Sequence, residues 1–147
     1  MGAGTGVIAS KVTSFCDEVF ALEPNHSRVD FIQRRFPEVK AFYGVAESIP
    51  FPENYFTKVF TLSAFHHFTD QNVSLSEFDR VLRKGVGLLL IYEPDSRKWG
   101  PRLEAKIAGV TFKKIEELES MLKEKGFVLK ERRDAKRGYF LLSSREE

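Results

Sequence analysis

The sequence lacks several features that would indicate particular classes of protein. Cys16 is its single cysteine, which excludes an intrachain disulfide, and without a second thiol nearby a structural zinc site is not expected. No window is long and apolar enough to span a bilayer, and the first residues lack the charged-then-apolar order of a signal peptide. These absences predict a cytoplasmic protein with no membrane segment.

Length and composition suit a globular chain with one hydrophobic core. The 147 residues are 42% hydrophobic and 13% aromatic, so residues 1–147 are expected to form a single domain. The formal net charge is +2, but residues 97–137 carry 13 Lys and Arg against 7 Asp and Glu. This basic stretch permits RNA binding, although a solvated helix face and a charged hairpin edge also explain it. Because no ladder of aromatic residues accompanies the charges, a nucleic-acid partner is not expected.

Apolar runs alternate with amphipathic stretches along the chain. Strands that alternate with helices predict parallel crossover units, and continuous apolar strands predict a sheet covered by helices on both faces. The last two apolar runs are separated only by "DAKR", which predicts a C-terminal antiparallel β-hairpin. The fold class is therefore α/β with a mostly parallel sheet. The first helix is expected to bury Ile8, Val12, Phe15 and Cys16 on one face.

A glycine-rich turn, "GAGTG", opens the chain directly before the first helix. Its glycines would let the backbone turn sharply and approach a ligand without interference from side chains. The phosphate-loop pattern GxxxxGK is absent, and the spacing GxGxG differs from the dinucleotide pattern GxGxxG. Glu23 ends the next strand about twenty residues further on, where a carboxylate can accept both hydroxyl protons of a ribose. Loop and carboxylate together indicate a nucleoside site.

The motifs together resemble the class I S-adenosylmethionine-dependent methyltransferases, in particular their small-molecule branch, which includes the ubiquinone and menaquinone C-methyltransferases. The resemblance covers nearly the whole chain. It rests on "GAGTG", "ALEPN", "GVAESIPFPENYFTKVFTLSAFHHF", "VLRKGVGLLLIYEP" and "LKEKGFVLKE", which occur in the order and at about the spacing of that family.

The resemblance implies a Rossmann-like methyltransferase fold, S-adenosylmethionine as the cofactor and methyl transfer to a small-molecule acceptor. The cofactor site that it implies comprises Gly2, Ala3, Gly4, Thr5 and Gly6 at the methionine end, Glu23 and Pro24 at the ribose, Val45, Ala46 and Glu47 beside the adenine, and Ser63 on the pocket floor. An apolar slot for adenine, built with the help of Phe42, Ile49 and Phe51, would complete it.

The sequence departs from the family pattern in three places. The helix and the first strand that precede the glycines in this family are missing, which would leave two neighbouring strands without a partner. Val45 replaces a common aspartate beside adenine, and Thr57 replaces the aspartate of the family's "FD" motif. One interpretation is a misassigned start, in which case adding the strand and helix should raise thermal stability and cofactor affinity. Another is a natural short form, in which the neighbouring strands close up or a second chain supplies the strand, for example in a homodimer.

His66 and His67 are the candidate catalytic residues, because imidazole titrates near neutral pH and can accept a proton. Neighbouring histidines are expected to point in different directions, with one in the pocket; in the alternative, one packs under the sheet and the other caps the next helix. Neither is a good metal ligand, since no third ligand lies at a suitable spacing. Trp99 either stacks against the acceptor or shields the sheet edge.

Two other functions stay open at this point. A non-catalytic member that binds the cofactor weakly and serves as an interaction subunit would agree with the missing strand, Val45 and Thr57. A nicotinamide-dependent oxidoreductase is disfavoured by the glycine spacing. The identity of the acceptor atom does not follow from the sequence.

Overall fold

Helices and strands alternate along most of the chain, and a pair of strands closes it, as the apolar pattern predicts. The computed structural model describes residues 1–146, without the side chains of residues 99, 104, 105 and 108. The helices are α1 (Val7–Val12), α2 (His26–Arg35), α3 (Gln71–Val81), α4 (Trp99–Ala108) and α5 (Ile115–Glu124). The strands are β1 (Val19–Glu23), β2 (Val39–Tyr43), β3 (Lys58–Leu62), β4 (Leu88–Pro94), β5 (Phe127–Asp134) and β6 (Gly138–Arg145). Within residues 1–146, each helix is too short or too polar to cross a membrane.

Polar side chains define where the two central helices begin. The Asn25 side chain accepts a hydrogen bond from the amide of Arg28 at the start of α2. The Asp70 side chain accepts from the amides of Asn72 and Val73 at the start of α3. Each cap satisfies amides that have no partner within the helix and contributes about 1 kcal/mol.

The strands form two hydrogen-bonded sheets. In the first sheet, β1 pairs in parallel with β2. In the second sheet the order is β3-β4-β6-β5, with β3 and β4 parallel and the other pairs antiparallel. The expected C-terminal hairpin is therefore confirmed, and its loop is closed by a hydrogen bond from the Ala135 amide to the Gly138 carbonyl.

Each sheet has its own apolar core. The larger core lies between the four-stranded sheet and helices α3 and α5, with Phe78, Leu118 and Tyr139 fully buried. The smaller core joins the two-stranded sheet to α1 and α2 through residues such as Ala21 and Ile32. Full burial of one large apolar side chain contributes about 1.5–3 kcal/mol, so these contacts fix the helices against the sheets.

A cleft of about 550 Å³ separates the edges of β1 and β3. Residues 1–3 bridge it at the carboxyl ends of the strands: the Met1 amine donates to the Phe60 carbonyl at 2.7 Å, and the Gly2 amide donates to the Leu22 carbonyl at 3.0 Å. The gap that the sequence predicts in the sheet is thus present. Five aromatic side chains pack together along the cleft, namely Phe20, Phe42, Phe51, Tyr55 and Phe56.

The predicted buried face of the first helix is only partly confirmed: Val12 and Cys16 pack against the smaller core, whereas Ile8 and Phe15 do not. Helix α1 ends at Val12 and is followed by a short 3-10 turn, Thr13–Phe15. The tighter turn rotates the later side chains away from the helical face that the spacing predicts. Ile8 is exposed, Phe15 is 87% exposed beside the cleft, and Ala9 is the buried residue of α1.

Candidate functional site

A continuous set of contacts joins the loops at the carboxyl ends of β1, β2, β3 and β4. The Gly44 amide donates to the Glu23 carbonyl at 3.2 Å, and the Ser63 amide donates to the Tyr92 carbonyl at 2.9 Å. Residue Gly2 lies against Ala64, so the first loop also touches the loop after β3. In open α/β sheets, ligands bind at this end of the strands. This edge is therefore the candidate site.

The glycine loop adopts a backbone conformation that side chains disfavour. Gly2, Gly4 and Gly6 have φ values of 65°, 57° and 76°. A Cβ atom on Gly2 would lie 2.5 Å from the Ala64 Cβ, whereas a Cβ atom on Gly4 would meet nothing within 4 Å. Close packing therefore requires glycine at position 2, while position 4 faces open space in which a ligand can contact the backbone.

One hydrogen bond of Ala3 ties the loop to β1, and a second bond closes the loop on itself. The Ala3 amide donates to the Leu22 carbonyl at 3.2 Å, and the Gly6 amide donates to the Ala3 carbonyl at 2.9 Å. Thr5 is exposed at the outer side of the loop.

Glu23 is a buried carboxylate at the end of β1, followed by the exposed Pro24. Its Oε2 accepts a hydrogen bond from the Gly4 amide at 2.8 Å, and its Oε1 lies 3.4 Å from Nη1 of Arg28. Two carboxylate oxygens offer about four acceptor positions, so Glu23 has capacity for ligand hydroxyl groups in addition to these partners.

The turn after β2 comprises residues 45–48 and is closed by a hydrogen bond from the Ser48 amide to the Val45 carbonyl at 3.3 Å. Val45 is exposed, whereas Ala46 is buried in the larger core. Oε1 of Glu47 accepts from the Asp70 amide at 3.1 Å. The turn is therefore anchored to the start of α3.

An ion pair on α3 fixes the loop that follows this turn. Arg80 donates to the carbonyls of Ile49 at 2.9 Å and Phe51 at 2.8 Å, and its Nε lies 2.6 Å from Oε1 of Glu77. Oε2 of Glu77 accepts from the Ile49 amide at 2.8 Å. The hydrogen bond from Arg80 is the main cause that lowers the pKa of Glu77.

The three residues expected to help build an apolar slot for adenine lie in two different places, and their role at adenine stays a prediction. Phe42 and Phe51 pack with Phe20 in the cleft between the sheets, and Ile49 is buried in the larger core. Phe42 is the register partner of Leu22, so it lies on the opposite face of the sheet from Glu23.

The loop after β3 carries Ser63 and the two histidines. Ser63 is exposed and has a φ of 52°, which is uncommon for a residue with a side chain and often marks a functional site. A short 3-10 turn, Phe65–His67, follows. Nδ1 of His66 lies 2.6 Å from Oε2 of Glu93, and Oε1 of Glu93 accepts from the Phe65 amide at 3.0 Å.

The two histidine rings lie close together but in different surroundings, and neither caps the next helix. The 3-10 turn brings the two rings to 4.1 Å between centroids, and Asp70, not a histidine, caps α3. The His66 side chain is 6% exposed, whereas His67 is exposed. Partial desolvation, followed by the neighbouring His66, lowers the pKa of His67, and Glu93 opposes this shift. The side chain of Trp99 lies outside the described residues, so its predicted role stays a prediction.

Sequence reasoning missed Glu93, although a signal was present. Glu23 and Glu93 each end an apolar strand and each precede a proline, in "ALEP" and "IYEP". The two carboxylates mark the ends of β1 and β4, on either side of the candidate site.

Some basic residues of the C-terminal third form ion pairs with acidic neighbours. Arg132 contacts Glu119 at 3.3 Å and Glu116 at 3.4 Å, and Lys98 contacts Asp134 at 3.3 Å. Such pairs reduce the field that a phosphate backbone would encounter.

Comparison with protein families gives a match over residues 1–91 to the family described as "Methyltransferase domain". Among curated proteins, an uncharacterized methyltransferase of Mycobacterium tuberculosis is 30% identical over 100 residues, which are 68% of this chain and 41% of that protein. A second protein of that organism, named "Probable S-adenosylmethionine-dependent methyltransferase", is 27% identical over 129 residues, 86% of this chain and 47% of that protein. The chain thus spans less than half the length of these curated relatives.

Among solved structures, a SAM-dependent methyltransferase of Thermotoga maritima is similar in fold. It superimposes with a TM-score of 0.83 at 19% sequence identity, covering 100% of this chain and 80% of that one. This likeness shows that the chain has the Rossmann-like fold of that structure.

Proposed function

The chain belongs to the class I S-adenosylmethionine-dependent methyltransferases, and we propose on this basis that it transfers a methyl group from S-adenosylmethionine to a small-molecule acceptor. The observation that carries the proposal is the hydrogen bond between Gly4 and Glu23, which joins an open glycine loop to a buried carboxylate at the ligand-binding edge. We further propose that residues 1–147 act as one domain, since residues 1–3 hydrogen-bond to both sheets.

The residues present fit the cofactor. S-adenosylmethionine carries no phosphate, and the loop accordingly lacks a phosphate-binding lysine. A Cβ atom built on Gly4 would meet nothing within 4 Å, so the space beside Gly4 is open and a ligand could approach the backbone closely there. The spare acceptor positions of Glu23 suit the two hydroxyl groups of a ribose.

The proposed contacts follow the order of the loops. Gly2, Ala3, Gly4, Thr5 and Gly6 would hold the methionine end, Glu23 and Pro24 the ribose, and Val45, Ala46 and Glu47 the adenine, with Ser63 on the floor between them. The exposed Val45 offers an apolar surface to the adenine instead of a hydrogen bond. Arg80 and Glu77 hold the loop after the turn at residues 45–48 in position through their hydrogen bonds to Ile49.

A small-molecule acceptor is favoured by the surroundings of the histidines. His66 is nearly buried, and the Phe112 ring packs edge-on against it at 4.6 Å between centroids. A bulky macromolecule would reach such a position less easily than a small or flat compound. The ion pairs of the C-terminal third also support this proposal over binding to nucleic acid.

When bound, the cofactor supplies a methyl group already activated by its positive sulfur. The chain's own task is to align the acceptor with that methyl group and to exclude competing water. The rigid loops around the site suit this task, because hydrogen bonds anchor the glycine loop to β1 and the turn at residues 45–48 to α3.

The test uses S-adenosylmethionine labelled in its methyl group. The protein is incubated with the label and, in separate reactions, with the small-molecule fraction of a cell extract, total RNA or denatured protein. Label is expected in the small-molecule fraction, with transfer reduced in the Glu23→Gln variant. Label in RNA or protein, or in none of the fractions, would contradict the proposal.

A further inference from the structure

We propose that Glu93 is a positioning residue that holds His66 in the tautomer able to accept a proton from the methyl acceptor. The acceptor then belongs to the class whose nucleophilic atom loses a proton on methylation, such as a hydroxyl group, an amine bearing hydrogen or an acidic carbon. This inference rests on the proposed function and assigns chemistry to the same site.

The geometry of Glu93 determines the tautomer. Its two oxygens have separate partners, the Phe65 amide at 3.0 Å and Nδ1 of His66 at 2.6 Å. An ionised carboxylate only accepts hydrogen bonds, so Nδ1 carries the proton and Nε2 keeps its lone pair. Both side chains are almost fully buried, 6% exposed for His66 and 2% for Glu93, so the ring has little freedom to turn away.

Other titratable groups near the pair are less suited to accept the proton. Tyr139 is the register partner of Glu93, and its hydroxyl donates to the Lys113 carbonyl at 3.1 Å. Burial, and secondarily Glu93, raises the pKa of Tyr139, so its hydroxyl stays protonated. Asp95 is held by Arg97 at 2.8 Å. His67 lies beside His66, but its pKa is lowered by partial desolvation.

The proposed step balances in atoms and charge. The acceptor's nucleophilic atom forms a bond to the methyl carbon while the carbon–sulfur bond breaks, and its electron pair stays on sulfur to give a neutral thioether. The acceptor's proton passes to Nε2 of His66. The resulting imidazolium is stabilised by the Glu93 carboxylate and later releases the proton to solvent.

The first test reads the tautomer directly. Glutamine at position 93 can accept from the Phe65 amide with its oxygen, which turns its NH₂ group toward Nδ1 of His66. Nδ1 must then accept, and the proton moves to Nε2. In ¹⁵N NMR spectra at about pH 9, where model imidazoles are neutral, we expect the His66 proton on Nδ1 in the native protein and on Nε2 in Glu93→Gln.

Glu117→Gln is the matched control, because it removes a nearby acidic charge that acts on Tyr139 without a hydrogen bond to His66. In Glu117→Gln, the ¹⁵N signals of His66 should match those of the native protein. A native proton on Nε2, or the same tautomer in native protein and Glu93→Gln, would overturn the proposal. The native spectrum decides alone if Glu93→Gln does not fold.

The second test separates this inference from the proposed function. Calorimetry with S-adenosylhomocysteine should give affinities within about threefold for native protein and Glu93→Gln, since the glutamine oxygen still accepts from the Phe65 amide and keeps the loop after β3 in place. Methylation of catechol, which loses a proton, should fall roughly 100-fold or more in Glu93→Gln. Transfer to dimethyl sulfide but not to catechol, or equal catechol transfer in both proteins, would overturn the proposal. Absence of cofactor binding in native protein would instead contradict the proposed function and leave the tautomer result intact.

Discussion

The Gly4 amide donates a hydrogen bond to Oε2 of Glu23 at 2.8 Å, so one buried carboxylate at the end of β1 supports the glycine loop. This hydrogen bond joins two residues that are 19 positions apart in the sequence. It ties the shape of the loop to the residue that we propose for ribose recognition, and changes at either position should affect cofactor binding.

Glu23→Gln should weaken binding of S-adenosylhomocysteine by about tenfold or more. Glutamine keeps the shape but loses the negative charge, and hydrogen bonds to a charged acceptor contribute roughly 1.5–3 kcal/mol. Calorimetry measures the change. Glu18→Gln is the control, because Glu18 forms an exposed ion pair with Lys40 outside the site. Equal affinities of native protein and Glu23→Gln would refute the assigned role of the carboxylate.

Gly4→Ala should lower cofactor affinity more than it lowers stability. Gly126 provides a matched control, because it also has a positive φ, 80° against 57° for Gly4, and a Cβ atom there would meet nothing within 4 Å. Both substitutions introduce similar backbone strain, about 1 kcal/mol, but only the Cβ atom at position 4 would meet the ligand. Thermal unfolding and calorimetry should show similar losses of stability and a loss of affinity confined to Gly4→Ala. A comparable loss of affinity in Gly126→Ala would argue against the loop as the binding surface.

Arg80→Ala should destabilise the loop after β2 and weaken cofactor binding. The change removes the donor to the carbonyls of Ile49 and Phe51 and the ion-pair partner of Glu77, which among the described residues keeps only the Ile49 amide as its partner. A double-mutant cycle with Glu77→Gln, followed by denaturant unfolding, should give a coupling free energy of about 1 kcal/mol, because both side chains are partly exposed. Additive effects of the two substitutions would show that the pair does not act as a unit.

The 147-residue polypeptide should become more stable as the pH rises from about 5 to about 8. Burial lowers the pKa of the Met1 amine from 8.0 to about 5, so between these values the unfolded chain binds more protons than the folded chain. The free energy of unfolding therefore increases with pH in this window, by up to about 4 kcal/mol from this group. Urea unfolding at several pH values measures the slope, and acetylation of the Met1 amine should reduce it. If acetylation leaves the slope unchanged, the Met1 amine does not have the lowered pKa that its burial implies.

The sequence was sufficient to predict the features that depend on local pattern. Apolar spacing predicts the strands, the C-terminal hairpin and the helix at Ile115–Glu124, and the glycine spacing predicts the loop that meets Glu23.

Features that depend on distant packing could not be predicted in this way. The pair of His66 and Glu93 joins residues 27 positions apart, and only the parallel pairing of β3 with β4 brings them together. The packing of Phe42 and Phe51 along the cleft between β1 and β3 also depends on residues distant in sequence. Phe15 is exposed because a 3-10 turn interrupts the helical spacing.

Calorimetric titration of the native chain with S-adenosylhomocysteine tests the central claim most directly. The account predicts saturable binding with a dissociation constant on the order of micromolar, lost or strongly weakened in Glu23→Gln. No binding at about 1 mM ligand, or binding that Glu23→Gln leaves unchanged, would contradict a cofactor site built from the glycine loop and Glu23.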